Sequence, residues 1–195
     1  MKRPWLAIAL VAFTSGCGYN RIQTYDETAS AAQGQIEVQL QRRADLIGNL
    51  VNTVKGYAQH EEEVFTAVAQ ARAGLAGAVQ SHDPEQMANA NQALGGTLSR
   101  LLAISEAYPT LKADQSFLRL QDELTGTENR IAVARSDYND AVKSYNAYIR
   151  QFPEVLTAKV IGSKPRKYFE VTTPGAREVP KVDFSKPGDK APPKP

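Results

Sequence analysis

Residues 39–58 read QLQRRADLIGNLVNTVKGYA, a stretch in which apolar side chains return every three or four positions. This spacing places them along one face of an α-helix. The pattern extends in both directions, and no proline interrupts it between Ile22 and Val79. We therefore predict one long first helix over this region. Gly34, Gly48 and Gly56 are its candidate bend points, and Gly34 is the most favoured. One set of positions in its apolar stripe, spaced by seven residues or a multiple of seven, contains Leu40, Ile47, Val54, Val68 and Leu75.

Two further long helices follow from their start and stop signals. Asp83 can cap a second helix whose first position is Pro84, and Pro109 is expected to end it. A third helix is predicted from about Asp114 to Pro153. Its apolar class recurs every seven residues, at Phe117, Leu124, Ile131, Tyr138, Tyr145 and Phe152.

These elements predict an all-α protein, built as an elongated antiparallel bundle of three long helices over residues 22–162. A short fourth helical segment is expected at Glu154 to Ile161, ended by Gly162. The shorter second and third helices need not cover the whole first helix. We therefore expect apolar surface between Ile22 and Leu40 to remain exposed, as a site for a partner or for self-association.

The composition changes after the predicted bundle. Residues 163–195 are dominated by proline, lysine and glycine, which predicts an extended or disordered C-terminal tail. Within it, Tyr168, Phe169 and Val171 are candidates for a short extended contact with the bundle.

The first sixteen residues resemble a signal peptide. Lys2 and Arg3 precede an apolar run from Trp5 to Phe13. That run is about half of the ~20 residues that cross a bilayer as a helix. We expect residues 1–16 to be cleaved, and an uncleaved anchor is the alternative.

Cys17 is the only cysteine, so no disulfide can form within the chain. The preceding Thr14, Ser15 and Gly16 resemble a bacterial lipobox, although Leu is more usual than Thr at the first of these positions. The resemblance implies that Cys17 carries acyl chains and that residues 17–21 form a lipid-anchored linker. Gly18 is not the Asp that retains such proteins at the inner membrane, so we expect a cell-membrane or outer-membrane location facing the periplasm or exterior. The alternative is a chance cysteine.

Four segments together resemble the LemA family of bacterial membrane-associated proteins. They are residues 39–58 with the following His60 and Glu61, AYPTLK at 107–112, GTENRIAVAR at 126–135, and Phe152-Pro153. They lie in the family's order across residues 19–161. The resemblance implies a membrane anchor followed by an elongated helical bundle outside the cytoplasm, and it implies no reaction or cofactor. Gln33 and Gly48 depart from the family's usual Trp and Pro.

The chain shows little sign of nucleic-acid or catalytic chemistry. Removal of Lys2 and Arg3 from 23 basic residues leaves 21, which equals the 21 acidic residues and argues against a nucleic-acid partner. His60 precedes three glutamates, but it lacks the second histidine one helical turn away that a helical zinc motif needs. The more favoured interpretation is a solvated acidic turn. We expect no catalytic residue and no cofactor.

The densest polar motif lies at the edge of the first helix's apolar stripe. It comprises Arg42, Arg43, Asp45, Asn49 and Asn52. Such residues can either fix helix register or contact a partner. For Arg43 we favour register, through an ion pair with Glu123 or Glu128.

We therefore expect a non-enzymatic envelope lipoprotein that acts as a structural or protein-interaction scaffold. Its partners would be the membrane and envelope proteins. The alternative is an envelope ligand-binding protein or enzyme accessory subunit with a site between helices.

Overall fold

The computed structural model describes residues 4–171, with side chains described from Gly18 onward. Within this range the protein is all-α, as predicted, and contains no strand. The remainder of the expected tail, residues 172–195, lies outside the described residues, as do the side chains of the signal segment. The elements are α1 (Pro4–Lys55), α2 (Glu62–Gln80), α3 (Pro84–Ile104), a 3-10 turn (Ser105–Ala107), α4 (Pro109–Lys112), α5 (Gln115–Tyr148) and α6 (Glu154–Ile161).

The predicted unbroken first helix is wrong, because it stops at Lys55 and resumes as α2 at Glu62. Gly56 stands at the break, where a helical glycine would cost about 1 kcal/mol relative to alanine. The turn buries Ala58 completely and allows α2 to fold back, so that Phe65 and Leu75 are buried instead of continuing a rod. The chain stays helical at Gly34, where we expected the bend.

Helices α1 and α5 form the most extensive helix pair. Their contacts run in opposite directions along the two helices, which makes the pair antiparallel. From one end to the other, the contacts join the Tyr57 hydroxyl to the Asp114 carboxylate at 3.0 Å, Arg43 to Glu128 at 2.6 Å, and the rings of Tyr25 and Tyr148 at 5.1 Å between centroids.

Helices α2 and α3 form the second pair and are joined by a tight turn. The predicted start of α3 is confirmed, since Asp83 accepts hydrogen bonds from the backbone of Glu85 and Gln86 and Pro84 occupies the first turn. His82 adopts a left-handed φ of 52° in this turn. Pro109 does not end α3 directly, because the helix tightens into the 3-10 turn at Ser105 and Pro109 begins α4.

The first half of α1 is covered, which contradicts the exposed apolar surface expected between Ile22 and Leu40. Ile22 is 1% exposed, and Ala29, Ile36 and Leu40 are 0% exposed. Ile22 packs with residues from the end of α5 and with Ala158 of α6. Most of the apolar surface that motivated self-association through this helix is therefore buried within the chain itself, although Val38 is 59% exposed.

Part of that cover is an extended segment, residues 163–171, which we call the C-terminal strap. Phe169 of the strap is buried in the main core, and Val171 packs against that core, so a contact of this segment with the helices is confirmed. Tyr168 remains exposed. The expected extended tail thus begins as a docked segment over its first nine residues.

Side chains of α5 satisfy the backbone of the strap. Asn146 donates to the carbonyl of Arg166 at 2.9 Å and accepts from its amide at 2.8 Å. The Tyr138 hydroxyl donates to the carbonyl of Lys167 at 2.8 Å. Asn139 pairs in the same two-way manner with the backbone of Phe169. Paired buried backbone groups fix this segment without any secondary structure of its own.

Charged side chains of the strap then connect it to other helices. Arg166 donates to the Asp26 carboxylate at 2.8 Å and to the Ser30 hydroxyl at 2.7 Å, both on α1. Lys167 reaches the carboxylate of Asp83, the cap of α3, at 2.7 Å. The strap therefore joins α5 to both α1 and the α2–α3 turn.

The apolar class of α5 is buried as predicted at five of its six positions. The exception is Phe152, which is 82% exposed. Helix α5 ends at Tyr148, so Phe152 lies beyond it, in the turn that leads to α6. The predicted short helix Glu154–Ile161 is confirmed, and Gly162 ends it with a left-handed φ of 73°.

We predict that Tyr138→Phe removes a pH dependence of stability. Burial raises the pKa of Tyr138 from 10.0 to about 12. The folded state therefore holds this proton more tightly than the unfolded state. The free energy of unfolding that this raised pKa contributes is fully present below pH ~10. It is lost as the pH rises toward ~12, which lowers the stability by about 2–3 kcal/mol.

Denaturant unfolding at a series of pH values tests this expectation. Near neutral pH, Tyr138→Phe should be less stable by about 1 kcal/mol, because the hydrogen bond to the strap is missing. The difference between variant and wild type should shrink or reverse as the pH rises above ~10. A stability difference that stays constant as the pH rises above ~10 would contradict the raised pKa of Tyr138.

Candidate functional site on the polar face of the first helix

The polar motif of α1 separates into an outward and an inward part. Arg42, Asp45, Asn49 and Asn52 are all exposed. Their spacing of three and four residues puts them on one helix face. Arg43 points the other way and is only 7% exposed. We call the four outward residues the polar stripe.

Arg43 lies where α1, α3 and α5 meet. Its guanidinium donates to Asn91 of α3 at 2.6 Å and pairs with Glu128 of α5 at 2.6 Å. Burial lowers the pKa of Arg43, and the nearby Glu128 carboxylate partly offsets this effect. Of the two expected partners, Glu128 makes the close contact. Sequence reasoning missed Asn91, because nothing local links it to Arg43.

The second expected partner, Glu123, lies near Arg42 instead. The two charged groups are 3.9 Å apart, and both side chains are more than half exposed. An exposed pair of this kind contributes little to stability. Arg42 is therefore available at the surface together with the rest of the polar stripe.

The polar stripe borders a groove of about 480 Å³ between α1 and α2, lined by Asp45, Asn49 and Asn52. Arg72 of α2 crosses this groove and donates to the backbone carbonyl of Ala44 at 2.8 Å. A Cβ atom at Gly48 would lie 2.8–3.0 Å from the Arg72 guanidinium. Arg72 was not predicted from the sequence. The available signal was Gly48, where the family often has proline, because the missing side chain leaves room for the guanidinium.

A second groove, of about 550 Å³, lies between α1 and α5. Small and polar side chains line it, among them Ala32, Gln39 and Asn129. The Gln39 side-chain oxygen is buried and has no hydrogen-bond partner. Such an atom is rare in folded proteins and is a reason to consider a bound polar group. This groove was not predicted from the sequence.

The two histidines lie in turns. His60 is exposed, beside the acidic first turn of α2. His82 contacts Glu37 at 2.9 Å between Nδ1 and Oε1. In the part of the chain that the structure describes, no three His, Cys, Asp or Glu side chains come together as metal ligands would.

The part of α1 that follows Cys17 lies against α6. A Cβ atom at Gly18 would be 3.6 Å from the Thr157 hydroxyl and 3.7 Å from the Glu154 side chain. The side chain of Cys17, the predicted lipidation site, is outside the described residues. Over the described range, no helix is long and apolar enough to cross a membrane.

These features define an all-α protein whose longest helix carries an exposed polar stripe and an internal arginine clamp. The chain belongs to the LemA family, whose model matches residues 32–184.

The chain is also similar to individual proteins. The chain is 32% identical to the magnetosome protein MamQ of Magnetospirillum gryphiswaldense, over 83% of this chain and 69% of that protein. It is 30% identical to magnetosome protein MamQ 2 of Paramagnetospirillum magneticum, over 84% and 69% of the two chains. It is 28% identical to protein LemA of Metamycoplasma hominis, over 68% and 57%.

We predict that the effect of Gly48→Ala depends on Arg72. In an Arg72→Ala background the substitution should stabilise α1 by up to about 1 kcal/mol, because alanine favours a helix more than glycine does. In the wild type the new methyl group must displace the guanidinium from Ala44, so the gain should shrink by about 0.5–1.5 kcal/mol.

A double-mutant cycle measured by denaturant unfolding checks this coupling. The cycle uses the wild type, the two single variants and the double variant. Equal effects of Gly48→Ala in both backgrounds would show that Arg72 does not occupy the space above Gly48 in solution.

Proposed function

We propose that this protein is a non-enzymatic, membrane-anchored envelope lipoprotein that acts as a structural or protein-interaction scaffold. The observation that carries the proposal is the continuity of α1, which runs through Cys17 and ends just beyond the polar stripe. At ~1.5 Å per residue, one helix would hold the stripe ~40–50 Å from an anchor at Cys17. A scaffold needs this kind of fixed display.

The packing supports a body that keeps its shape. The α1–α5 and α2–α3 pairs, their cross-contacts and the strap fit an elongated antiparallel bundle of four long helices, one more than the sequence predicted. Arg43 joins helices from both pairs. Such a body would hold the polar stripe at a fixed position relative to its anchor.

Membrane attachment is proposed through acyl chains on Cys17. Each buried CH₂ group contributes about 0.8 kcal/mol, so two or more chains hold a protein firmly at a bilayer. Membership of the LemA family and kinship with proteins named for the magnetosome support a membrane-associated role. Gly18, in place of the inner-membrane retention signal Asp, supports the outer membrane and a body that faces the periplasm.

A second candidate function is binding of a small ligand, directly or as an accessory subunit of an enzyme. The unpaired buried oxygen of Gln39 in the α1–α5 groove favours it. The scaffold has the stronger support, because the polar stripe presents four polar side chains at the surface together.

The scaffold proposal is tested by photo-crosslinking in the native host. A crosslinking residue replaces Asn49 or Asn52 in the full chain, in a wild-type and in a Cys17→Ser background. We expect both positions to give a defined protein adduct, identified by mass spectrometry, with the wild-type anchor. The adduct should be lost with Cys17→Ser, and intact mass should show an acylated chain that begins at Cys17 only when the cysteine is present.

The matched control is Thr125, which is exposed on α5. It lies at a similar distance along the pair, since Arg43 meets Glu128. An equal adduct at Thr125, or none at positions 49 and 52, would contradict the interaction face. An unmodified mass together with membrane retention of Cys17→Ser would contradict the lipid anchor.

A further inference from the structure

Large apolar side chains are exposed mainly at one end of the described structure. Val38, Tyr57, Leu118 and Val133 are spread singly along the helices, and scattered apolar residues of this kind need no special explanation. Apart from Tyr168 on the strap, the others gather at the opposite end from Leu118. This group comprises Tyr19, Phe152, Leu156, Val160 and Ile161, with Phe152 and Val160 exposed by 82% and 87%.

Helix α6 supplies most of this group and presents it on one side. Leu156 and Val160 are one helical turn apart, so they share a face. Ala158, on another face, is buried against Ile22 and the end of α5. Helix α6 is therefore attached to the body by one side and leaves the other, apolar side exposed, and the exposed Phe152 lies in the turn just before the helix.

Helix α6 lies beside the segment through which the protein is proposed to attach to the membrane. The space above Gly18 is bounded by Glu154 and Thr157 of α6. Gly18 is the residue after Cys17, so its Cα lies ~3.8 Å from that of the predicted lipid-bearing residue. The closeness holds whether the anchor is a lipid on Cys17 or the uncleaved apolar segment before it.

The charges around this end match an anionic membrane surface. Arg21, Arg150, Lys159 and Lys164 are all exposed there. The mature chain has equal numbers of acidic and basic residues, so this clustering is local. Each cation held close to an anionic bilayer adds to the attraction between the two surfaces. Glu154 of α6 is half-buried, and its side chain lies against Gly18, one helical turn from Arg21.

We propose that α6 lies on the phospholipid bilayer beside the anchor, with Phe152, Leu156 and Val160 inserted between the lipid headgroups. A bilayer fits this surface better than a second protein does. A stable protein interface buries about 800 Å² on each partner, far more than one side of a two-turn helix supplies. A fluid bilayer needs no matching shape, and the anchor keeps it at high effective concentration. The inference rests on the proposed membrane attachment, and it adds a second contact that fixes the orientation of the body.

The test uses a single tryptophan as a depth reporter. Trp5 is the only native tryptophan, so Trp5→Phe gives a chain without any, whether or not the signal segment is removed. Phe152→Trp is added to that chain to make the reporter chain. Leu118→Trp is added instead to make the control chain, because both residues are exposed. The membrane-purified chains are placed in phosphatidylcholine–phosphatidylglycerol vesicles that contain brominated lipids.

We expect bromine placed ~5–10 Å below the headgroups, the depth of an interfacial helix, to quench the reporter chain and to leave the control chain unaffected. Adding Leu156→Glu and Val160→Glu to the reporter chain should reduce its quenching.

Three results would overturn the inference, and they are distinguishable. A reporter chain that floats with vesicles but stays unquenched would refute the bilayer contact and leave the anchor intact. Reporter emission that shifts to the blue without quenching would show a protein occupant and equally refute that contact. A chain that does not float with vesicles would refute the anchor and, with it, this inference.

Discussion

The buried guanidinium of Arg43 is the constraint on which the helix arrangement depends. Arg43 lies on α1, donates a hydrogen bond to Asn91 of α3 and forms an ion pair with Glu128 of α5. A buried charge is costly unless it is paired, so registers that separate these groups are disfavoured. A ridge of apolar side chains alone would tolerate sliding by a helical turn, whereas a fixed polar contact does not. One residue thus ties the α1–α5 pair to the α2–α3 pair.

Fixed register has consequences at both ends of α1. Near Gly18 it places the end of α5 and α6 against Ile22, and Arg166 of the strap pairs with Asp26. Near Lys55 it leaves the groove that Arg72 crosses, beside the polar stripe. The start of the described side chains at Gly18, helix α6 and the polar stripe are therefore parts of one internally connected body.

Local signals in the sequence were sufficient for several features. Asp83 with Pro84 marked the start of α3, Gly162 marked the end of α6, and a buried arginine in an apolar stripe implied a carboxylate partner. Features that depend on distant contacts were missed. The periodicity through Gly56 is the same for a rod and for a hairpin, and only the packing of α2 against α3 decides between them. The error over the first half of α1 has the same origin. Helix lengths alone left residues 22–40 uncovered, whereas the second half of α5, α6 and a strap from the expected tail pack there. Side chains of α5 hold the strap by its backbone, and such contacts leave no pattern in the strap's own sequence.

Hydrogen exchange measured by mass spectrometry on Arg43→Ala, with Arg42→Ala as the matched control, tests the role of Arg43 most directly. Loss of the clamp should destabilise the fold by about 1–3 kcal/mol. It should speed exchange in α3 around Asn91 and in α5 around Glu128 together. Arg42→Ala, whose side chain is 55% exposed, should leave both segments unchanged. Equal exchange in the two variants would show that Arg43 does not hold the helix pairs in register.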